Sequence, residues 1–266
     1  MANHVHLDPF AGIAGDMFLG AMIDLGAPLE RIVAALEPLG VEPAFTLTAE
    51  PTRRQGIRGI DVKVRPAHDH DPGRAPSHSH PAPTHVRPAD ILAMVDRLDT
   101  TDRGRDRARA IVMKLAEAEA HVHGKPIDAV HFHEVGAVDS IVDMLGAAVA
   151  VELLEVTTFS CGSLPIGHGF VDCAHGRMPL PAPATAAILR GMAQHGVDRA
   201  GETVTPTGAA IVAALTDRFG PLPAMSVTAV GYGAGDRDDP DVPNLLRAYL
   251  GKGHAMSGDP ATSDER

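Results

Sequence analysis

The chain has 266 residues, enough for one large domain or two small ones. Apolar residues make up 44% and aromatics only 3%, with no Trp, so the core must come from Ala, Val, Leu, Ile and Met, and stacking platforms for nucleic acid are not expected. A formal net charge of -11 argues against the basic footprint of a nucleic-acid binder and suits a protein that attracts metal cations.

The opening MANHVHLDPF has no basic stretch followed by an apolar one, and no apolar run reaches the ~18 residues of a membrane span. Cys161 and Cys173 are too few for a disulfide framework, so both are read as small buried groups in a cytoplasmic protein. Residues 4–10 alternate and stop at Pro9, which predicts a short strand. A glycine-containing loop then leads to a helix over Met17–Leu25 and a second over Leu29–Leu39. Phe45–Leu47 and Ile57–Val64 alternate as two strands. Residues 66–88 hold five histidines and six prolines without apolar periodicity, and read as a His-rich disordered insert. Helices are expected over Asp90–Leu98, Arg105–His123 and Val138–Leu154, with Val130–Val135 extended between the last two. Thr157–Ser160 is strand-like, and 162–180 reads as loop or irregular strand. Ala182–Arg190 and Gly208–Arg218 read as helices, and Val227–Val230 and Leu245–Leu250 as strands. Residues 252–266 read as a polar tail. The class is α/β or α+β, a mixed sheet with flanking helices. The expected organisation is an N-terminal part over 1–65, the flexible insert over 66–88, a main part over 89–250 and a disordered tail over 251–266.

Several groups can carry chemistry. In Asp8-Pro-Phe-Ala-Gly-Ile-Ala-Gly-Asp16, Gly12 and Gly15 let the backbone turn with positive φ and approach a ligand. The N–H groups at the following helix start favour an anion such as phosphate. Asp8 and Asp16 bracket the loop, placed for a metal or a ribose hydroxyl. The pattern is neither the Walker nor the dinucleotide fingerprint, and the bland alternative is a tight turn capped by Asp16. In His131-Phe-His133-Glu134, an extended backbone puts both imidazoles on one face, able to grip one metal ion, with Glu134 as a ligand or as the group that orients one. Asp139 and Asp143 share a helix face and would be costly to bury without a cation or donors. A satisfied core histidine pair with capping carboxylates is the alternative. His121 and His123 end a helix, where its dipole alone explains them, with metal ligation as a weaker option. His68, His70, His78, His80 and His85 form a metal-collecting composition or an incidental one. Gly167-His168-Gly169, His175-Gly176 and Pro181-Ala182-Pro183 read as turn structure. Thr205, Thr207 and Gly208 start a helix, where a threonine caps it or an anion binds.

Taken in order, LDPFAGIAGDMFLGAM (7–22), AEAEAHVHG (116–124), VHFHEVGAVDSIVD (130–143), PAPAT (181–185), VTPTGAA (204–210) and GYGAG (231–235) resemble the LarC family over about residues 5–250. The resemblance implies a nickel chelatase or cyclometallase of the lyase class. It would insert nickel into pyridinium-3,5-bisthiocarboxylic acid mononucleotide to form the nickel-pincer cofactor of lactate racemase-type enzymes. It also implies consumption of CTP with Mg or Mn, bound by a carboxy-terminal domain that this chain lacks, so a separate carboxy-terminal fragment is an expected partner. On this reading His131, His133 and Glu134 lie near the transferred nickel, and Glu134 or Asp139 takes a proton. Asp8, Gly12, Gly15, Asp16, Thr205, Thr207 and Gly208 serve the anionic substrate. A homo-oligomer, contact with a racemase apoenzyme, and no nucleic-acid or membrane partner are further expectations. Two other readings remain open: a non-enzymatic nickel chaperone or store working through its His-rich insert, and a different nucleotide-dependent enzyme that needs no nickel.

Overall fold

A computed structural model describes residues 3–41, 44–66, 86–132, 136–173, 176–237 and 239–253. The chain opens with β1 (Asn3–Asp8), α1 (Gly15–Asp24) and α2 (Leu29–Leu36). The antiparallel pair β2 (Phe45–Arg54) and β3 (Ile57–Pro66) turns at Gln55–Gly56, both with positive φ. Next come α3 (Pro88–Val95), α4 (Asp102–His123) and α5 (Val138–Leu153). Four strands follow: β4 (Val156–Cys161), β5 (Leu164–His168), β6 (Phe170–Cys173) and β7 (Gly176–Pro179). The last elements are α6 (Pro183–Ile188), β8 (Gln194–Ala200), α7 (Pro206–Leu215), β9 (Arg218–Phe219), β10 (Met225–Ala234) and β11 (Leu245–Gly253).

Seven strands form a mixed sheet in the order β2-β3-β10-β11-β1-β4-β9. Strands β1, β3, β4, β9 and β10 run one way, while β2 and β11 run against them. This agrees with the mixed α/β expectation, and strands from both sides of residues 66–88 share the one sheet. Alternation along β1 sorts its side chains. Val5 and Leu7 are fully buried in the apolar core, while His4, His6 and Asp8 point to the other face. Helices α1, α5 and α7 lie against the strands, and α4 stacks over α5, α6 and α7. Helix α5 is buried along Met144–Val151 because helices surround it and the sheet lies beneath it.

Local chemistry sets several boundaries. Helix α4 starts at Thr101, whose hydroxyl accepts the Gly104 N–H at 3.1 Å, and stops at Gly124 in the left-handed region. Helix α7 begins two residues earlier than expected and ends at Leu215, before the predicted Arg218. The Asp217 carboxylate accepts the Phe159 N–H at 2.7 Å and draws the chain into the sheet as β9. The 162–180 stretch is more regular than its Gly and Pro content suggests. Its β5 pairs in parallel with β8, a strand the sequence did not reveal, and β6 and β7 form a hairpin. Strand β10 is also longer than expected and takes in Gly231–Ala234 of GYGAG. Helix α1 packs so closely there that its backbone oxygens fill the space where side chains of Gly231 and Gly233 would stand.

Candidate functional site

The loop that leaves the carboxyl end of β1 leads into α1, pairs with the residues that open α7 and meets the second turn of α5, so the three helices come together beyond that end of the sheet. In open α/β sheets ligands bind at that edge. The Asp8–Asp16 loop crosses it. The Ile13 N–H donates to the Thr203 carbonyl at 2.8 Å, and the Thr205 N–H donates to the Ile13 carbonyl at 3.1 Å, which ties the loop to the start of α7. Gly12 has φ 121°, and a Cβ there would stand 1.9 Å from the Thr203 carbonyl oxygen, so only glycine fits. Gly15 departs from expectation: it is the first residue of α1 and is absent from the positive-φ positions. Its missing Cβ makes room for Asp143 of α5, because an added Cβ would meet Asp143 Oδ2 at 2.8 Å.

This meeting of α1 and α5 concentrates carboxyls. Burial, reinforced by Asp236 and Asp61, pushes the Asp16 carboxyl up from 3.8 to about 6, although it accepts the Met17 N–H at 2.8 Å. Burial also raises Asp143 well above the carboxylate range, with Asp16, Asp139 and Asp236 adding repulsion. Both residues keep some solvent contact where α1 and α5 meet. Lys63 is the neighbouring cation, at 2.8 Å from Asp61 and paired also with Asp236. Asp139 is exposed on the first turn of α5, its Oδ1 accepting the Ser140 N–H at 2.7 Å.

The other predicted residues fall as follows. Asp8 is an ion-pair partner of Arg247, whose guanidinium also lies over the rings of Phe10 and Tyr249 at 5.5 and 5.2 Å. The Thr205 hydroxyl accepts the Gly208 N–H at 3.1 Å as the cap of α7 and lies 3.0 Å from the Thr207 hydroxyl. Gly208 packs directly under the Ile13 carbonyl. His131 is partly buried beside the Val86–Phe132 bridge, on the approach to α5. His133 and Glu134 lie outside the described residues, as do His68, His70, His78, His80, His85 and His175. His121 is exposed at the end of α4, and His123 Nε2 sits 3.3 Å from Glu119. Among the described residues no three His, Cys, Asp or Glu side chains are grouped to hold a metal ion. Cys161 is buried, and burial pushes its thiol up to about 12, which fits the apolar role expected of it, while Cys173 is half-buried.

One cluster escaped the sequence reading. On the outer face of the sheet, His4 Nε2 and His6 Nδ1 each lie 2.8 Å from Ser160 Oγ, and His4 Nδ1 lies 2.8 Å from Thr158 Oγ1. Burial lowers both imidazoles below 6.5, so the rings stay neutral and their nitrogens share hydroxyl protons. The i, i+2 spacing of His4 and His6 was the available signal, but their partners lie more than 150 residues away.

The nickel insertion protein family matches residues 5–265. Relatives with provisional names as nickel insertion proteins include one from Geotalea daltonii, 48% identical over 92% of this chain and 60% of its own length. Another, from Geobacter sulfurreducens, is 47% identical over 93% of this chain and 61% of its own length. A third, from Syntrophotalea carbinolica, is 47% identical over 92% of this chain and 58% of its own length. The chain thus spans about 60% of the length of the curated relatives it matches. No solved structure matches it. With the loop, the three helix starts and the carboxyl pair built from segments that the family match covers, the chain belongs to the nickel insertion protein family.

Proposed function

We propose that this chain handles nickel for insertion into pyridinium-3,5-bisthiocarboxylic acid mononucleotide, as a cyclometallase of the lyase class serving lactate racemase-type enzymes. The observation that carries the reading is the contact between Gly15–Asp16 and Asp143, which joins the two most specific sequence segments at one junction of α1 and α5. Family membership supports the nickel part. The substrate's phosphate suits the backbone N–H groups at the starts of α1 and α7. His131, His133 and Glu134 are the proposed nickel ligands, on nitrogen and oxygen donors that exchange readily. His121, His123 and the insert histidines serve as weaker collectors.

The chemistry is redox-neutral. Divalent nickel leaves its N and O ligands for the two thiocarboxylate sulfurs, for which it has the greater preference. The pyridinium C4–H bond breaks, its electron pair forms the carbon–nickel bond, and the proton passes to a base. Glu134 and Asp139 are the proposed acceptors. A carboxyl held near 6, as Asp16 is, also has the affinity such a transfer needs near neutral pH. CTP with Mg or Mn is assigned to the additional length of the longer relatives, acting as a partner fragment in the cytoplasm.

The test is nickel binding by the untagged chain, compared with a His131→Ala/His133→Ala variant and with a chain lacking residues 67–87. Tight binding that disappears with the histidine pair and survives the deletion supports insertion. Binding that follows the insert alone favours a nickel store.

A further inference from the structure

Helix α1 receives its cap from outside its own segment. Ala14 occupies the N-cap position in extended conformation and brings no side-chain acceptor, which leaves the first N–H groups of α1 in need of partners. The Asp16 N–H finds its acceptor in the carboxyl of Asp143, in the second turn of α5. Gly15 permits this, since a Cβ there would stand 2.7 Å from Asp143 Cβ. Among the described residues Asp143 Oδ1 is enclosed without a hydrogen-bond partner, an uncommon state for a buried polar atom that asks for a reason.

We infer that Asp143 is a positioning residue: across the gap at Gly15 it holds the start of α1, and with it the Pro9–Ala14 loop, in register with α5 and α7. The loop is then anchored by the backbone pairing of Ile13 with Thr203 and Thr205 beside α7, by the Arg199 guanidinium, which donates to the Ala11 carbonyl at 2.7 Å, and by Asp143 from α5. Three helix starts are thereby locked to one another through a nine-residue segment, held between Asp8 and Asp16 by contacts to its backbone. The arrangement calls for an acceptor at Asp143, not for a charge: Asp16, Asp139 and Asp236 already repel a negative group there, and a neutral carboxyl accepts an N–H as well. An amide of the same shape is therefore an adequate replacement. The inference rests on the junction of α1 and α5 being the working site, as proposed above.

The experiment is hydrogen exchange on the full chain, read at amides 12–18. Asp143→Ala removes the acceptor, and exchange there rises about tenfold, the worth of one net hydrogen bond, while α4 is unaffected. Asp143→Asn keeps wild-type exchange. In a nickel-insertion assay Asp143→Ala raises KM for the mononucleotide more than it lowers kcat, because the loop is displaced and the reacting groups are not. Should Asp143→Ala fail to fold, Gly15→Ala pushes the carboxyl away from the other side and gives the same exchange signature. Unchanged exchange in Asp143→Ala or Gly15→Ala overturns the inference, as does loosening in Asp143→Asn equal to that in Asp143→Ala. If exchange behaves as stated but the wild type transfers no nickel, the proposed function fails and the positioning role stands.

Discussion

Asp16→Asn is expected to raise stability while impairing the site. A carboxyl whose folded pKa lies above its unfolded value keeps its proton in the fold after the unfolded chain has released it. Stability is then full below pH 3.8 and falls as pH rises to about 6. At ~1.36 kcal/mol per unit, the rise from 3.8 to about 6 costs up to about 3 kcal/mol at neutral pH. Asparagine never ionises and its carbonyl still accepts the Met17 N–H, now 2.8 Å from Asp16 Oδ1. It also removes the foremost charge repelling Asp143. For a chain of this size ~3 kcal/mol corresponds to roughly 6–12 °C in melting temperature. The assay is thermal unfolding of both proteins from pH 4 to pH 8. The wild-type midpoint should sink relative to the variant between pH 4 and 6, with the two close together at the acid end. A variant less stable than wild type at pH 7, or two parallel profiles, would refute the reasoning. Gained stability with lost nickel transfer is the pattern expected where function imposes strain.

Three other outcomes follow from the geometry. Gly12→Ala meets both a positive φ and the Thr203 carbonyl, so it should cost on the order of 3 kcal/mol or prevent folding, measured by denaturant unfolding. Thr205→Ala removes the cap of α7 and should cost about 1 kcal/mol in the same assay, with Thr205→Ser recovering most of it. His4 and His6 are held neutral, so their contribution is present above pH 6.5 and is lost as pH falls below it. A nitrogen NMR titration should find both rings taking up a proton at lower pH than an exposed histidine does, and a pair that protonates together with exposed histidines would contradict the buried hydrogen-bond scheme.

The legible parts of the sequence were those governed by short-range rules. The apolar run of α5, the glycine punctuation after α1 and the alternation in β3 all carry a period that packing obeys. The Thr205 cap and the strand-to-helix loop were readable as motifs for the same reason. Tertiary pairing was not readable: β8 is a strand because β5 lies beside it, and nothing in Gln194–Ala200 alternates strongly enough to say so. Within the site, Asp143 could be flagged as an expensive carboxylate on an apolar helix, but its partner, the Asp16 N–H, became visible only when α1 and α5 were brought together. Gly15 shows the same limit. Its small size was noticed and given to a ligand, whereas the space is used by Asp143. His4, His6 and Ser160 were hidden because their hydrogen bonds join the first strand to residues far along the chain.

Nickel transfer itself is the most direct test. The chain would be incubated with nickel(II), the pyridinium bisthiocarboxylate mononucleotide, CTP, manganese and the additional segment of a longer relative, and the small molecule analysed by mass spectrometry. The expected product is a mononucleotide carrying one nickel, with its formation dependent on that segment and much reduced in the His131→Ala/His133→Ala variant. An unaltered mononucleotide with nickel retained on the protein would contradict insertion and leave a nickel-collecting protein, and full conversion by this chain alone would contradict the need for a partner.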